Sequence, residues 1–260
     1  DTKLKEILPE TKGSNKANIT LKEMLSHYAR LKAWIPFYTE TLAEDRTHAS
    51  AKYYRSETSD LFNVPVSEKF YMRKDYQDSI YQQIIDSDLR AKKEYKYSDL
   101  PYYLLKRFIE YYYERPLSEL TQQHFYEHLG ANHLGYLPTE KFPLDQIAPT
   151  EVDDYWRFNK IQGTVHDQGA AMFGGVGGHA GVFSNANDVA KMMQMYLNKG
   201  RYGGVKYFKP ETIDKFNTCY YCDKEVRRGV GFDKPQLDEI GPTCGCVSMT
   251  SFGHSGFTGT

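Results

Sequence analysis

The sequence has no excess of charge of either sign and no long hydrophobic run. It carries 33 basic and 34 acidic residues, for a net charge of −1. This balance gives no support for a partner such as nucleic acid or an anionic membrane surface. No apolar stretch approaches the roughly 18–20 residues that a membrane-spanning helix requires. We therefore expect the 260 residues to form one large or two small domains with a buried core and no membrane span.

Cysteine is scarce and confined to the late part of the chain, where it forms two close pairs. The pairs are Cys219 with Cys222 and Cys244 with Cys246. Four thiolates in this arrangement fit a tetrahedral structural zinc site, and two disulfides that link one segment to the other fit equally well. Free thiols are the third possibility. In either bonded form the cysteines would staple a loop and take no part in catalysis.

Hydrophobic periodicity predicts many helices and few strands. A capping box at Thr20 and Glu23 predicts a short helix over residues 20–30. Further helices are predicted over 72–87, from Asp99, from Pro116 to about His128, from Ser184 or Asn185, and over 210–217. Strand patterns occur only over 226–232, over 247–252 and at Phe257, whereas residues 39–70 and 131–165 are predicted as loops.

This distribution predicts an α/β (α+β) protein with two parts. Residues 1–217 would form a mainly helical subdomain, and residues 218–260 a partial sheet subdomain that holds the cysteines. Two or three strands cannot form a full sheet layer alone, so we expect other residues or another chain to complete the antiparallel sheet. The open sheet edges would favour association.

Four segments of the chain carry motifs in a fixed order. They are residues 19–27, Tyr97-Ser98-Asp99 with the helix after it, the glycine-rich turn and helix of 174–190, and Gly253-His254-Ser255-Gly256 with Thr258-Gly259. Together they resemble the class C-like branch of the β-lactamase/D-aminopeptidase/esterase group, the penicillin-recognising serine hydrolases. The second segment is similar to the Tyr-x-Asn motif of that group, and the last to its Lys/His-x-Gly motif.

The resemblance implies the β-lactamase/DD-peptidase-like fold. It is closest to the hydrolase domain fused to family-three glycosidases in exported bacterial proteins, and so implies a periplasmic or otherwise exported protein fused to a glycosidase domain. The substrate would be a small molecule or a cell-wall fragment. The chain begins at Asp1 without methionine or signal sequence, and the family has further strands at both ends. We therefore expect the chain to be truncated at both ends.

The resemblance also implies roles for individual residues. Tyr97 would be the catalytic tyrosine, which acts as a base only if nearby positive charge lowers its pKa. His254 would bind a substrate carboxylate or move protons. Asp99, where Asn is commonest, would contact substrate. Substrate would also lie against Ser255, Gly256 and Phe257, where a backbone N–H would contribute to an oxyanion hole. Catalysis would need no cofactor.

The nucleophile of the resembled group is absent from this sequence. That nucleophile is the serine of a Ser-x-x-Lys helix, and no serine here is followed by lysine three residues later. We hypothesise a fragment of a hydrolase that cleaves amide or ester bonds through an acyl-serine and is inactive alone. The alternatives are a non-catalytic binding or accessory domain that retains the cleft, and a hydrolase completed by exchange with a second chain. The motifs do not distinguish β-lactamase from peptidase or esterase.

Other chemically suggestive residues have simpler explanations. His166-Asp167 and His179 could form a dyad or a metal site, but hydrogen bonds that stabilise a turn also account for them. The glycines at 175 and 177 are not framed by the strand and acidic partner of a dinucleotide fingerprint. Ser255 does not lie in a Gly-x-Ser-x-Gly elbow, because position 257 is phenylalanine.

Overall fold

The computed structural model describes residues 1–235 and 243–258 and has mixed helix and strand structure. The helices are α1 (Leu4–Ile7), α2 (Leu21–Leu25), α3 (Tyr76–Asp86), α4 (Leu100–Tyr113), α5 (Leu117–Thr121), α6 (Gln168–Ala171), α7 (Ala186–Leu197) and α8 (Pro210–Asn217). The strands are β1 (Tyr54–Arg55), β2 (Phe62–Ser67), β3 (Phe70–Arg73), β4 (Pro149–Asp153), β5 (Asn159–Gln162), β6 (Arg201–Tyr202) and β7 (Val205–Lys206). In the part that the structure describes, none of these helices combines the length and apolar character needed to cross a membrane.

The chain divides into two compact units, each built from separate stretches of sequence. The first unit comprises Asp1–Ala33, Ile85–Pro101 and Met193–Thr260, and the second comprises Trp34–Ile84 and Tyr102–Met192. The division of the sequence at residue 217 into a helical and a sheet subdomain stays a prediction.

Helix ends in the first unit are set by side chains that satisfy exposed backbone groups. The predicted capping box is confirmed, because the Thr20 hydroxyl accepts the Glu23 N–H at 3.2 Å and the Glu23 carboxylate accepts the Thr20 N–H at 2.9 Å. The helix is shorter than predicted and ends at Leu25, since His27 adopts a left-handed backbone conformation with φ 55°.

Lys16 is fully buried, and its ammonium donates to the carbonyls of Ile85 and Ser87.

The core of the second unit is aromatic. Trp156 is completely buried, and its indole N–H donates to the Tyr54 hydroxyl at 3.2 Å. The Tyr54 ring stacks on Phe70 with 4.4 Å between centroids. Beside it, the buried carboxylate of Asp153 accepts from the Arg157 guanidinium at 2.7 Å, so the two charges are paired as burial requires.

Strands lie within two segments that the sequence predicts as loops. Between residues 39 and 70, β1 and β2 pair with the following β3 in an antiparallel sheet of order β1-β3-β2. The alternating burial of β2 is visible in its sequence, but Pro65 interrupts the pattern. Proline is tolerated there because β2 is an edge strand and does not need every N–H for pairing. Within the predicted loop of 131–165, β4 and β5 form a hairpin.

The strands predicted over 226–232, over 247–252 and at Phe257 are not formed, and that part of the prediction is wrong. Among the residues that the structure describes, the pairing there consists of isolated bridges, between Arg228 and Asp233 and between Asp233 and Gly253. Gly231 turns the backbone with φ 85°, and the Ser251 N–H closes a turn on the Ser248 carbonyl at 2.9 Å. These segments therefore fold as turns joined by single bridges.

The glycine-rich turn in the second unit is closely packed against the backbone of α4 and against its own backbone. A Cβ atom on Gly178 would lie 2.3 Å from the Tyr102 carbonyl oxygen, and one on Gly181 would lie 2.2 Å from the Gly175 oxygen. Gly181 also has φ 112°, which favours glycine. The turn leads into α7, where the Asn185 side chain accepts the Asp188 N–H at 2.9 Å, which confirms Asn185 as the cap.

Candidate active site

Tyr97 and His254, from two of the four motifs, lie close together in the first unit. Their ring centroids are 5.9 Å apart. Tyr97 is 38% exposed and His254 is also exposed, so a molecule from solvent can approach both. The structure thus brings together the two residues that the sequence predicts as catalytic. Their catalytic roles stay predictions.

The backbone around Tyr97 is fixed by residues 27–33 of the same unit. The Lys96 N–H donates to the His27 carbonyl at 3.0 Å, and the Asp99 N–H donates to the Ala33 carbonyl at 3.1 Å. Between them, the Ser98 N–H donates to Nδ1 of His27 at 3.1 Å. These three bonds hold the segment immediately before α4, and so determine where the Tyr97 ring lies.

His27 is buried beneath Tyr97 and is neutral. Burial, reinforced by the charge of Arg228 and by His254, lowers the pKa of His27 from 6.5 to about 3. Because its Nδ1 accepts the Ser98 N–H, the ring hydrogen is on Nε2. Its ring packs against Tyr97 with 4.5 Å between centroids. Through these contacts His27 supports the Tyr97 ring from below.

Tyr97, His27 and His254 form a cluster with a fourth residue, Arg228. The sequence motifs did not predict Arg228. It is 1% exposed, its guanidinium carbon lies 5.7 Å from the centroid of the Tyr97 ring, and its Nη2 lies 3.0 Å from Nε2 of His254. Its Nη1 lies 3.2 Å from the carboxylate of Asp233. An adjacent arginine pair before a Gly-x-Gly turn is the only sequence signal, and it does not indicate which arginine is buried.

The other predicted substrate contacts lie on the same two segments. Asp99 is half-buried and directly precedes α4. Ser255, Gly256 and Phe257 follow His254 and are exposed, with Phe257 90% exposed. Their roles with a substrate stay predictions, and Gly259, the end of the last motif, lies outside the described residues.

The histidines and aspartate near the glycine turn form separate pairs in the second unit. Nε2 of His179 lies 2.8 Å from the carboxylate of Asp167, which also accepts the Ala170 N–H at 2.7 Å and caps α6. Burial alone would raise the pKa of Asp167, but the bonds to His179 and Ala170 outweigh it and the pKa is lowered. His166 instead lies 3.0 Å from Glu151. The geometry agrees with stabilisation of the turn.

The cysteines form two local disulfides, Cys219 with Cys222 and Cys244 with Cys246. The bridges lie within each segment, so the expectation that disulfides would link the two segments is wrong. In neither pair is a free thiolate left for a metal. Over residues 1–235 and 243–258, no group of three or more His, Cys, Asp or Glu could hold a metal ion. A structural zinc therefore stays a prediction, tested below.

Comparison with known proteins shows the family of the chain. The family described as Beta-lactamase matches residues 1–260. The chain is 32% identical over 263 aligned positions to an N-acetylmuramyl-L-alanine amidase of Bacillus subtilis strain 168, covering 96% of this chain and 53% of that protein. It is 37% identical over 177 positions to a protein of Escherichia coli strain K12 named "Putative D-alanyl-D-alanine carboxypeptidase", covering 63% of this chain and 40% of the other. The chain thus spans about half the length of the curated relatives it matches.

A solved structure has the same fold. It is a penicillin-binding protein homologue from Caulobacter crescentus, superimposed with a TM-score of 0.60 at 17% identity over 98% of this chain and 64% of the other. At that identity the likeness establishes the fold alone, and it confirms the predicted β-lactamase/DD-peptidase-like class. On the family match and the fold together, this chain belongs to the beta-lactamase family of serine hydrolases.

Proposed function

We propose that this chain is part of an exported serine hydrolase that cleaves an amide bond in a cell-wall-derived substrate through an acyl-serine. The observation that carries the proposal is the convergence of Tyr97, Arg228 and His254 in one unit. The relatives support the choice of bond, since both the amidase and the carboxypeptidase are named for amide cleavage. The proposal also includes an ester as the alternative substrate and fusion to a glycosidase domain.

The chemistry requires a nucleophile, a base and an oxyanion hole. In the proposed reaction the Tyr97 phenol exchanges a proton with the attacking or leaving group, beside the positive charge of the Arg228 guanidinium. Backbone N–H groups beside Gly256 and Phe257 stabilise the oxyanion of the tetrahedral intermediate. Asp99 contacts the substrate next to Tyr97.

We further propose that the chain as given does not turn over substrate. We expect this because the sequence lacks Ser-x-x-Lys, and the acyl-enzyme cannot form without that serine. The test is intact-mass spectrometry after incubation with a fluorophosphonate and, separately, with a penicillin. We expect no mass increase. A covalent adduct on this chain would contradict the claim of inactivity.

The hydrolase assignment itself needs a matched test on the gene and on its full product. We expect the sequence upstream of Asp1 to encode Ser-x-x-Lys, and the full product to gain one adduct that is lost when that serine is replaced by alanine. If the upstream sequence also lacks the motif, the non-catalytic accessory domain becomes the better reading. If this chain alone labels and forms a dimer by light scattering, completion of the site by a second copy becomes the better reading.

A further inference from the structure

The hydrogen-bond partners of the two ring nitrogens fix the protonation state of His254. Its Nε2 lies 3.0 Å from Nη2 of Arg228, and a guanidinium can only donate, so Nε2 carries no hydrogen. Its Nδ1 lies 2.7 Å from the Ser255 carbonyl oxygen, which can only accept, so Nδ1 carries the hydrogen. The ring is therefore the neutral Nδ1–H tautomer, and both of its nitrogens are engaged.

The position of Arg228 is set by a short hairpin that also contacts the His254 segment. The Asp233 carboxylate is 3.2 Å from Nη1 of Arg228 and 3.0 Å from Nη1 of Arg227. The backbone of Asp233 bonds that of Gly253 in both directions, at 2.8 and 3.2 Å. One residue thus orients the guanidinium and also holds the residue before His254. Two arginines share one carboxylate, which leaves the group with net positive charge.

The burial of Arg228 is not explained by stability alone. Its Nε–H is buried and has no acceptor among the residues that the structure describes. A buried donor without an acceptor is unfavourable, so the side chain is better explained by its effect on its neighbours. Those neighbours are the His254 ring and the Tyr97 ring, the two predicted catalytic residues.

We propose that Arg228 is a positioning residue of this site. It holds His254 as the neutral Nδ1–H tautomer and places a positive charge against the Tyr97 ring. His254 in this state does not shuttle protons, because its only lone pair on nitrogen is occupied by Arg228. The importance of this arrangement for catalysis rests on the proposed function, whereas the tautomer itself does not.

The test is long-range proton–nitrogen NMR of the imidazole groups in the full 260-residue chain at neutral pH, with His254 assigned by His254→Asn. We expect the pattern of the neutral Nδ1–H tautomer. In Arg228→Met, we expect the ratio of the Nδ1–H to the Nε2–H tautomer to fall by about tenfold or more, the usual worth of a bond to a charged donor. Arg228→Lys, which keeps a cationic donor, should restore part of the preference.

The adjacent arginine is the matched control. Arg227 contacts the same carboxylate and the Lys234 carbonyl, and Arg227→Met should leave the His254 pattern unchanged. An Nε2–H or doubly protonated His254 in the unmodified chain would overturn the proposal, as would an unchanged pattern in Arg228→Met. If Arg228→Met does not fold, the spectrum of the unmodified chain and that of Arg228→Lys decide. NMR needs no turnover, so this result is independent of the adduct experiments.

Discussion

At the scale of single residues, the buried His27 makes stability depend on pH. Its pKa is about 3 in the folded chain and 6.5 when unperturbed, because burial disfavours the charged ring. Between these values the unfolded state binds a proton that the folded state does not. The free energy of unfolding should therefore fall as pH falls through this window, by up to about 1.4 kcal/mol per pH unit from this residue.

Urea denaturation followed by circular dichroism at pH 7, 6, 5 and 4 would measure the effect. His27→Asn should flatten the dependence relative to the unmodified chain, and asparagine also tolerates the left-handed backbone at this position. His48→Asn is the control, because the His48 side chain is 64% exposed. Equal slopes in the His27→Asn variant and the unmodified chain would show that the histidine is not held neutral.

The sequence predicts some members of the site and not others, for a physical reason. Tyr97 and His254 each lie in a short motif of consecutive residues, so both can be found in the sequence without a structure. Arg228 acts through its burial and its distance to His254. Its partner Asp233 pairs through the backbone with Gly253, next to His254, and no local pattern encodes that pairing.

At the scale of secondary structure, helices are predicted better than strands. Caps such as Thr20 and Asn185 accept a hydrogen bond from a backbone N–H three residues later. The start of a helix is therefore determined by residues close together in the sequence. A strand needs a partner that is distant in sequence. The alternation in β2 is hidden by Pro65, and the late hydrophobic segments have the composition of strands but form isolated bridges among the described residues.

The glycine turn offers a sharp test at this scale. Gly178→Ala should lower the free energy of unfolding by about 1–3 kcal/mol, because the new methyl group would meet the backbone of α4 rather than a movable side chain. Chemical denaturation of the purified variant measures it. Gly253→Ala is the matched control, since among the described residues no atom beyond the two chain neighbours lies within 4 Å of a Cβ there, and its effect should stay within about 0.5 kcal/mol. Equal stabilities of the two variants would contradict the close approach.

At the scale of the whole molecule, the state of the cysteines decides between two forms of the protein. We expect no reactive thiol in denaturant without reductant and four after reduction. Peptide mapping should recover the bridges Cys219–Cys222 and Cys244–Cys246, and elemental analysis should find no stoichiometric zinc.

Two results would contradict this expectation in different ways. Four reactive thiols released together with one zinc ion would establish the metal site. Peptides cross-linked between the two cysteine segments would establish disulfides that link Cys219 or Cys222 to Cys244 or Cys246. Since the redox state follows the compartment, the measurement should be made on protein prepared under both oxidising and reducing conditions.

The first unit is built from three separate stretches of the chain, and this determines when it can fold during synthesis on the ribosome. Its three stretches are separated by the whole of the second unit, and the cluster draws one or more residues from each. A nascent chain that has reached Met192 contains all of the second unit and both Tyr97 and His27, but neither Arg228 nor His254. The cluster is therefore assembled last, and translation that stops early yields a chain without it.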